Sequence, residues 1–367
     1  MKKFSLFGAL AAVAVLGVTS CGSSGSNVKV GLHANLGAGA GYSAINQGFM
    51  KDEGITAEAV VGDGPSLATQ VIANQIQVSF MGGGVAWNYF TENSDIKIVA
   101  LDNLTDDDRL IARTSGKGAN LTISSSLEDI GEALKGSTVA LDQTATPATF
   151  WTSLVTEINK VLEPGDKIWY KQDDAKLPEG LTDADYVAAN EVKVENVKNT
   201  NISTSAQTAK WDFVIAFAPV ATQLEKDTAN WKTVCKTSTH MADSYAPSTW
   251  AVNTTWLKDN EETFKKFMVA LVKGMNYRNQ HVAETCKDIE AVTAGQVAAD
   301  SLTTDIAVWL SAEQQLELDS SGKMMKYVEN IRNGQLAGAN ADKIVKSAKD
   351  ACDFSYWIEA CKTVLGK

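Results

Sequence analysis

Histidine is scarce in this 367-residue chain, and the three present, His33, His240 and His281, stand far apart. No two of the five cysteines lie two or three residues apart, so a Cys-x-x-Cys zinc or redox site is excluded. No metal or other cofactor is expected. Basic residues are also in deficit: 33 Lys and Arg against 44 Asp and Glu leave a formal charge of −11. Such a chain has no general attraction for nucleic acid or anionic lipid, and a solvated acidic surface is the plain reading. The run Asp106-Asp107-Asp108 reads the same way, as a solvated turn. There is no Gly-x-Ser-x-Gly elbow, His-Glu-x-x-His pair or P-loop. Gly37-Ala38-Gly39-Ala40-Gly41-Tyr42 approaches a dinucleotide fingerprint, but Tyr42 stands where its third glycine belongs. With 44% hydrophobic residues, 21% charged and six prolines, the composition is that of a folded protein rather than a disordered one.

Only one long uncharged apolar run is present, Phe4 to Val18, preceded by Lys2 and Lys3. It is too short to span a bilayer and has the proportions of a secretory h-region. It ends in Val18-Thr19-Ser20-Cys21, followed by the flexible stretch Gly22-Ser23-Ser24-Gly25-Ser26. Small residues before a cysteine resemble the bacterial lipobox, in which the thiol is acylated and the preceding segment removed. Residues 1–20 are therefore expected to be a lipoprotein signal peptide, Cys21 the lipid attachment and residues 21–27 a tether. A plain secretory signal with Cys21 merely nearby is the alternative. In an oxidising compartment the other four cysteines permit two disulfides in three connectivities. The favoured pairs are Cys352 with Cys361, nine residues apart, and Cys235 with Cys286.

The length favours two globular lobes over one core. Val28 to Leu32 alternates as a strand, and a glycine-rich loop, Asn35 to Gly41, leads into a helix from Tyr42 to Lys51. Further strands are expected at Ile55 to Val61, Gln77 to Met81 and Ile96 to Leu101, with a helix over 66–75 after Pro65. The pattern restarts with a strand over 136–141 and a helix over Pro147 to Val161. Strands over 192–197 and 213–217 then flank a helix over Ser203 to Lys210. This alternation implies a parallel-rich α/β sheet. Residues 70–81 and 205–216 share one layout: a helix, a polar corner and a strand. Beyond residue 250 the chain is mostly helical, with Phe264, Phe267, Met268 and Leu271 forming one stripe.

Four segments resemble the nitrate/sulfonate/taurine group of importer-associated substrate-binding proteins, whose relatives include pyrimidine-precursor binders. They are Gln47-Gly48-Phe49-Met50-Lys51-Asp52-Glu53-Gly54-Ile55, Ala73 to Gly83, Leu134-Lys135-Gly136-Ser137-Thr138-Val139-Ala140, and Asp212 to Pro219. Their order and spacing carry the likeness, over roughly residues 28–275. At Phe217-Ala218 the group often has Trp-Glu before the proline, so a contact made by that Glu has no counterpart here. The resemblance implies an α/β, two-lobed periplasmic-binding-protein type II fold with two crossing strands, near residues 108–114 and 235–248. One lobe would comprise residues 28–110 and, mostly helical, 239–367; the other would comprise 111–238.

The implied function is that of the extracytoplasmic solute-binding component of an ABC importer, not an enzyme. It would be a monomer that is lipid-anchored outside a bacterial cytoplasmic membrane and serves a permease and its ATPase. A small polar or anionic solute would lie between the lobes. Strand ends running into helix N-termini leave backbone N–H groups free to hold such a ligand. Three junctions of this kind supply the candidates: Asn35, Leu36, Gly41 and Tyr42; Gly82, Gly83 and Gly84; Gln143, Thr144 and Thr146. Phe217 and Tyr245 would wall the site, with Trp87, Phe150 and Trp151 as further aromatic candidates. An enzyme on the same fold, of the pyrimidine or menaquinone biosynthesis type, and a surface lipoprotein binding a protein partner are the rival classes.

Overall fold

The computed structural model describes residues 26–89, 94–143, 146–171, 181, 186–336, 344 and 346–367. Its apolar, β-branched segments form two separate sheets. In the first, β1 (Ser26–Leu32) pairs in parallel with β2 (Ile55–Val61) and β3 (Val78–Gly82). Beside β3, β10 (Ala246–Asn253) runs antiparallel, and beyond it come β4 (Ile96–Thr105) and the short edge strand β11 (Ala307–Trp309). In the second sheet β6 (Thr138–Leu141) lies between β7 (Lys193–Asn196) and β8 (Phe213–Ala216), parallel to both. Antiparallel β5 (Arg109–Arg113) then separates β8 from β9 (Trp231–Lys236). The chain passes between the sheets twice, through Asp106–Asp108 and through residues 237–245, which include the helical turn α9 (Thr237–His240).

Period-two alternation builds the second lobe. Leu110, Ala112, Val139, Leu141, Phe213 and Ile215 face one core with the helices α5 (Leu127–Leu134) and α6 (Thr146–Val161). The intervening Ile111, Ala140, Val214 and Ala216 face another, with α7 (Asn199–Ser205) and α8 (Val220–Lys226). Both faces are thus covered, as a parallel sheet requires. The helix expected over 203–210 begins earlier, at Asn199, because Asp142 accepts its backbone N–H at 3.0 Å.

The first lobe has one continuous core. From the N-terminal part come α1 (Gly39–Asn46), α2 (Phe49–Asp52), α3 (Gly64–Ile72) and α4 (Gly83–Asn88). Gly48, in the left-handed conformation at φ 84°, separates α1 from α2 where one continuous helix was expected. After β10 the chain adds α10 (Thr254–Asp259), α11 (Glu261–Gln280) and α12 (Val282–Val292). Then come α13 (Ala312–Ser320), α14 (Lys323–Leu336), α15 (Ala348–Ala351) and α16 (Ser355–Leu365). Phe264, Phe267, Met268 and Leu271 of α11 are fully buried, as their helical spacing requires.

The four cysteines after Cys21 are all free and buried, which overturns both expected disulfides. Cys235 lies in the second lobe's core and Cys286 in the first lobe's, so that pair is split between lobes. Cys352 bridges to Ile98 of β4, while Cys361 is held inside α16, which packs on α11 and α13. Residues 1–20, Cys21 and the tether up to Gly25 lie outside the described residues.

Gly274 of α11 meets the Ala40 carbonyl and the Ala44 methyl group of α1, so the two helices touch backbone to backbone. Gly274→Ala is expected to cost about 1–3 kcal/mol by overpacking. A urea midpoint unchanged from wild type would refute that contact.

Candidate functional site between the lobes

Strand direction decides which loops face one another. Thr105, the last residue of β4, pairs with Ala246, the first of β10. The first crossing therefore leaves the first sheet from the edge at which β1 and β3 also end, because β3 and β4 both run antiparallel to β10. Arg109, where β5 begins, pairs with Ala216 and Lys236, the last residues of β8 and β9. Parallel to β8, β6 also ends at this edge. The neck thus joins the C-terminal strand edges of both sheets, the place where open α/β sheets hold ligands. The turns after β1 and β3 stand on one side of the neck, and those after β6 and β8 on the other.

Solved structures share this arrangement. The periplasmic sulfonate-binding protein SsuA of Methylobacillus flagellatus KT aligns with a TM-score of 0.62 at 14% identity, over 93% of this chain and 95% of its own. The periplasmic nitrate-binding protein NrtA of Synechocystis PCC 6803 aligns at 0.56 and 11%, over 93% and 89%. The chain has the periplasmic-binding-protein fold. That fold also carries chemistry, since the desulfurization enzyme DSZB aligns at 0.55 and 11% identity, over 92% and 99%. Residues 167–285, from the middle of the second lobe through the return crossing into α12, match the family model described as NMT1/THI5 like. No curated protein sequence matches the chain.

Within the periplasmic-binding-protein fold the sequence candidates separate into two groups. Gly82 and Gly84 are half-buried at the start of α4, and a side chain on Gly82 would meet nothing within 4 Å. Gly83 is tighter, its Cα facing the Pro247 carbonyl and Ile331. Exposed Asn35 caps the turn after β1, its Oδ1 accepting from the Ala38 N–H at 3.4 Å. Gln143 donates its N–H to Asn196, and the Thr146 hydroxyl donates to Asp108 at 2.9 Å. The half-buried Phe217 exchanges hydrogen bonds with the Asn199 side chain. Thr144 lies outside the described residues.

Leu36, Gly41 and Tyr42, by contrast, belong to the first lobe's core: Gly41 abuts the Leu32 and Trp250 side chains, and Leu36 and Tyr42 are fully buried. Trp87, Phe150 and Trp151 are likewise core residues. Tyr245, on the return crossing, is 7% exposed and packs edge-on against Tyr327.

The acidic run was expected to be solvated, and it is instead the first crossing, with Asp106 and Asp108 buried. Asp106 accepts from the Ser238 N–H at 2.8 Å and its hydroxyl at 2.6 Å, tying the crossings together. Asp107 accepts from the Ala218 N–H at 3.1 Å. Burial raises the Asp107 carboxyl to about 6. Burial, with the charge of Asp107 beside it, raises Asp108 to about 7. His33, just after β1, is pushed the other way by burial, to about 4, and its Nε2 finds no hydrogen-bond partner among the described residues.

Beneath the turn after β1 lies a second ionic group. Arg278 of α11 and Asp102 of β4 pair with no exposed side-chain surface. Trp250 Nε1 donates to Asp102 at 2.7 Å, and the Arg278 guanidinium lies 4.5 Å from the Trp309 ring centre. Asn103 at 3.2 Å and Arg278 at 3.4 Å both donate to the Gly37 carbonyl, fixing the turn. The available sequence signal was two adjacent polar residues, Asp102 and Asn103, directly after the apolar run Ile98 to Leu101. Two hollows lie elsewhere: about 450 Å³ between α7 and α8, and about 540 Å³ between α6, the return crossing and α14. Neither borders the four turns. Among the described residues no acidic, histidine or cysteine cluster is arranged to hold a metal, and no helix is long and apolar enough to cross a membrane.

Arg278→Met strands Asp102 in the core and should cost about 3–5 kcal/mol, whereas Asp102→Leu/Arg278→Met should cost less. Denaturant titrations in which the double variant is no better than the single would contradict this. The raised carboxyls give a second expectation. A carboxyl whose pKa is higher folded than unfolded stabilises the fold below about pH 4, and that stability is lost as pH rises through the folded value. Moving from pH 8 to pH 5 should therefore stabilise the chain through Asp107 and Asp108, with Asp108 contributing about 2–3 kcal/mol, while buried His33, whose unfolded form binds a proton more readily, offsets part of the gain. Asp108→Asn should flatten the pH dependence of the melting temperature, and an unaltered slope would count against a buried acid there.

Proposed function

We propose that the chain is the extracytoplasmic solute-binding component of an ABC importer, holding a small polar or anionic organic solute between its lobes. The observation that carries this reading is the convergence of four strand-end turns on the neck. Backbone N–H groups at the Asn35 turn and at Gly82–Gly84 would serve from the first lobe. Gln143, Thr144, Thr146 and Phe217 would serve from the second, Gln143, Thr146 and Phe217 exchanging their bonds to Asn196, Asp108 and Asn199 for the solute, with Tyr245 at the neck. Arg109 and Lys236 at the neck, and Arg278 beneath the turn after β1, are all committed to carboxylates. An anionic group would then be held by amides and hydroxyls, as at helix N-termini, rather than by a side-chain cation. The likeness to SsuA and NrtA, named for sulfonate and nitrate binding, supports the importer assignment. Export through residues 1–20, anchoring through Cys21 and service to a permease and its ATPase belong to the same proposal.

The likeness to DSZB makes an enzyme the second reading, and one experiment separates the two. The chain from Gly22 onward is heated with alkanesulfonates, nitrate and pyrimidines while each solute is assayed. A binder gains about 2.7 kcal/mol at a hundredfold excess over its dissociation constant and leaves the solute intact. Solute consumption points to the enzyme, and the absence of any shift across the panel removes support for the cleft.

A further inference from the structure

The lobes are joined by a third connection besides the two crossings. The segment from Thr303 to Trp309 belongs to the first lobe, where β11 pairs with the end of β4 and the Ile306 carbonyl accepts from the Asp106 N–H at 2.9 Å. The same segment reaches the second lobe. Asp305 accepts from Arg109 Nη2 at 3.2 Å and from Lys236 Nζ at 3.0 Å. These two cations are register partners at the strand ends where the chain enters and leaves that lobe. Arg109 is buried and also paired with Glu225 of α8, and the Thr303 hydroxyl lies 3.4 Å from that of Thr222 in α8.

We propose that Thr303–Trp309 is an interlobe latch, with Asp305 as its releasable catch, that sets how far the two lobes open. The geometry suits such a role. Arg109 keeps Glu225 when the catch lets go, so the second lobe stays intact, whereas Lys236 has no other carboxylate within salt-bridge distance among the described residues. Asp305 is 63% exposed, so water can take over its charge at little cost to folding. Salt also reaches it, and an exposed pair of this kind weakens as ionic strength rises. Latched lobes are restricted to a narrow range of angles, and unlatched ones swing about the two crossings, as in hinge motion generally.

The test is the distance between bio-orthogonal dyes at Thr69 in α3 and Thr156 in α6, read by single-molecule energy transfer on the full chain. Both positions are exposed, one in each lobe. Asp305→Asn should broaden the distance distribution and move its mean by more than about 2 Å, the scale of a domain rearrangement. Asp305→Glu, which keeps a carboxylate facing both Arg109 and Lys236, should leave the distribution as narrow as in the wild type. Wild type taken to about 1 M salt should broaden in the same sense, which keeps the test decisive if a variant folds poorly. A distribution untouched by both Asp305→Asn and salt overturns the latch. So does a distribution that Asp305→Glu broadens as much as Asp305→Asn does, because the segment would then act through packing and not through its charge. None of these readings depends on which solute the cleft binds.

Discussion

The pairing of β4 with β10 and of β5 with β9 sets the geometry of the whole molecule, because those four strands lead into and out of the neck. Since β10 is antiparallel to both its neighbours, β3 must end where β4 ends. Since β5 is antiparallel to both of its own, β8 and β9 must end where β5 begins. The turns after β1, β3, β6 and β8 therefore all face the neck without any side chain having to steer them there. Had either crossing strand run parallel to its sheet, half of those turns would point away from the other lobe.

Electrostatics at the neck follows from that crowding. Three consecutive aspartates are forced into the passage between the sheets, and each finds a different donor: Ser238, Ala218 or Thr146. These partners come from the return crossing, the turn after β8 and the start of α6, so the run fastens the second lobe at three points. Burial of the run raises the carboxyls of Asp107 and Asp108, the charge of Asp107 adding to the rise at Asp108. Arg109 offsets part of the burden but is shared with Glu225 and Asp305. Carboxylates are thus built into the floor of the neck while the nearby cations are already paired. An anionic solute would have to gain its affinity from amides close enough to outweigh those aspartates, and a neutral polar solute would face no such opposition.

The amount of this legible in the sequence depended on whether local pattern or tertiary context decided each residue. Strand alternation located β2, β6 and β8 well, and the helical stripe of α11 was correct to the residue because burial enforces a period of 3.6. The echo between residues 70–81 and 205–216 corresponds to β3 and β8, the strands beside β10 and β5 in their respective sheets. Context defeated local pattern elsewhere. Asp106–Asp108 reads as solvated because acidic runs usually are, and only the crossing buries it. Tyr42 reads as a cleft aromatic from its place after a glycine loop, but α1 turns it into the core against α11. The cysteine count permitted two disulfides, yet Cys235 and Cys286 fold into different cores. Pairing is a matter of distance, and counting carries no distances.

The division between fold and sequence has a physical basis in the same geometry. A grip made of backbone amides places few demands on side-chain identity: the strand-end turns need room for close approach, as at Gly82, and the helices need buried stripes of roughly the right volume. Substitutions that keep period and volume are tolerated, so the architecture persists over 93% of the chain at 14% identity. The stretch that matches a family model, residues 167–285, includes three points at which the neck or the floor beneath the cleft is tied together. It contains the turn after β8 bonded to Asp107, the return crossing bonded to Asp106, and Arg278 beneath the Gly37 turn. In those places groups from distant parts of the chain meet across the neck or beneath the cleft.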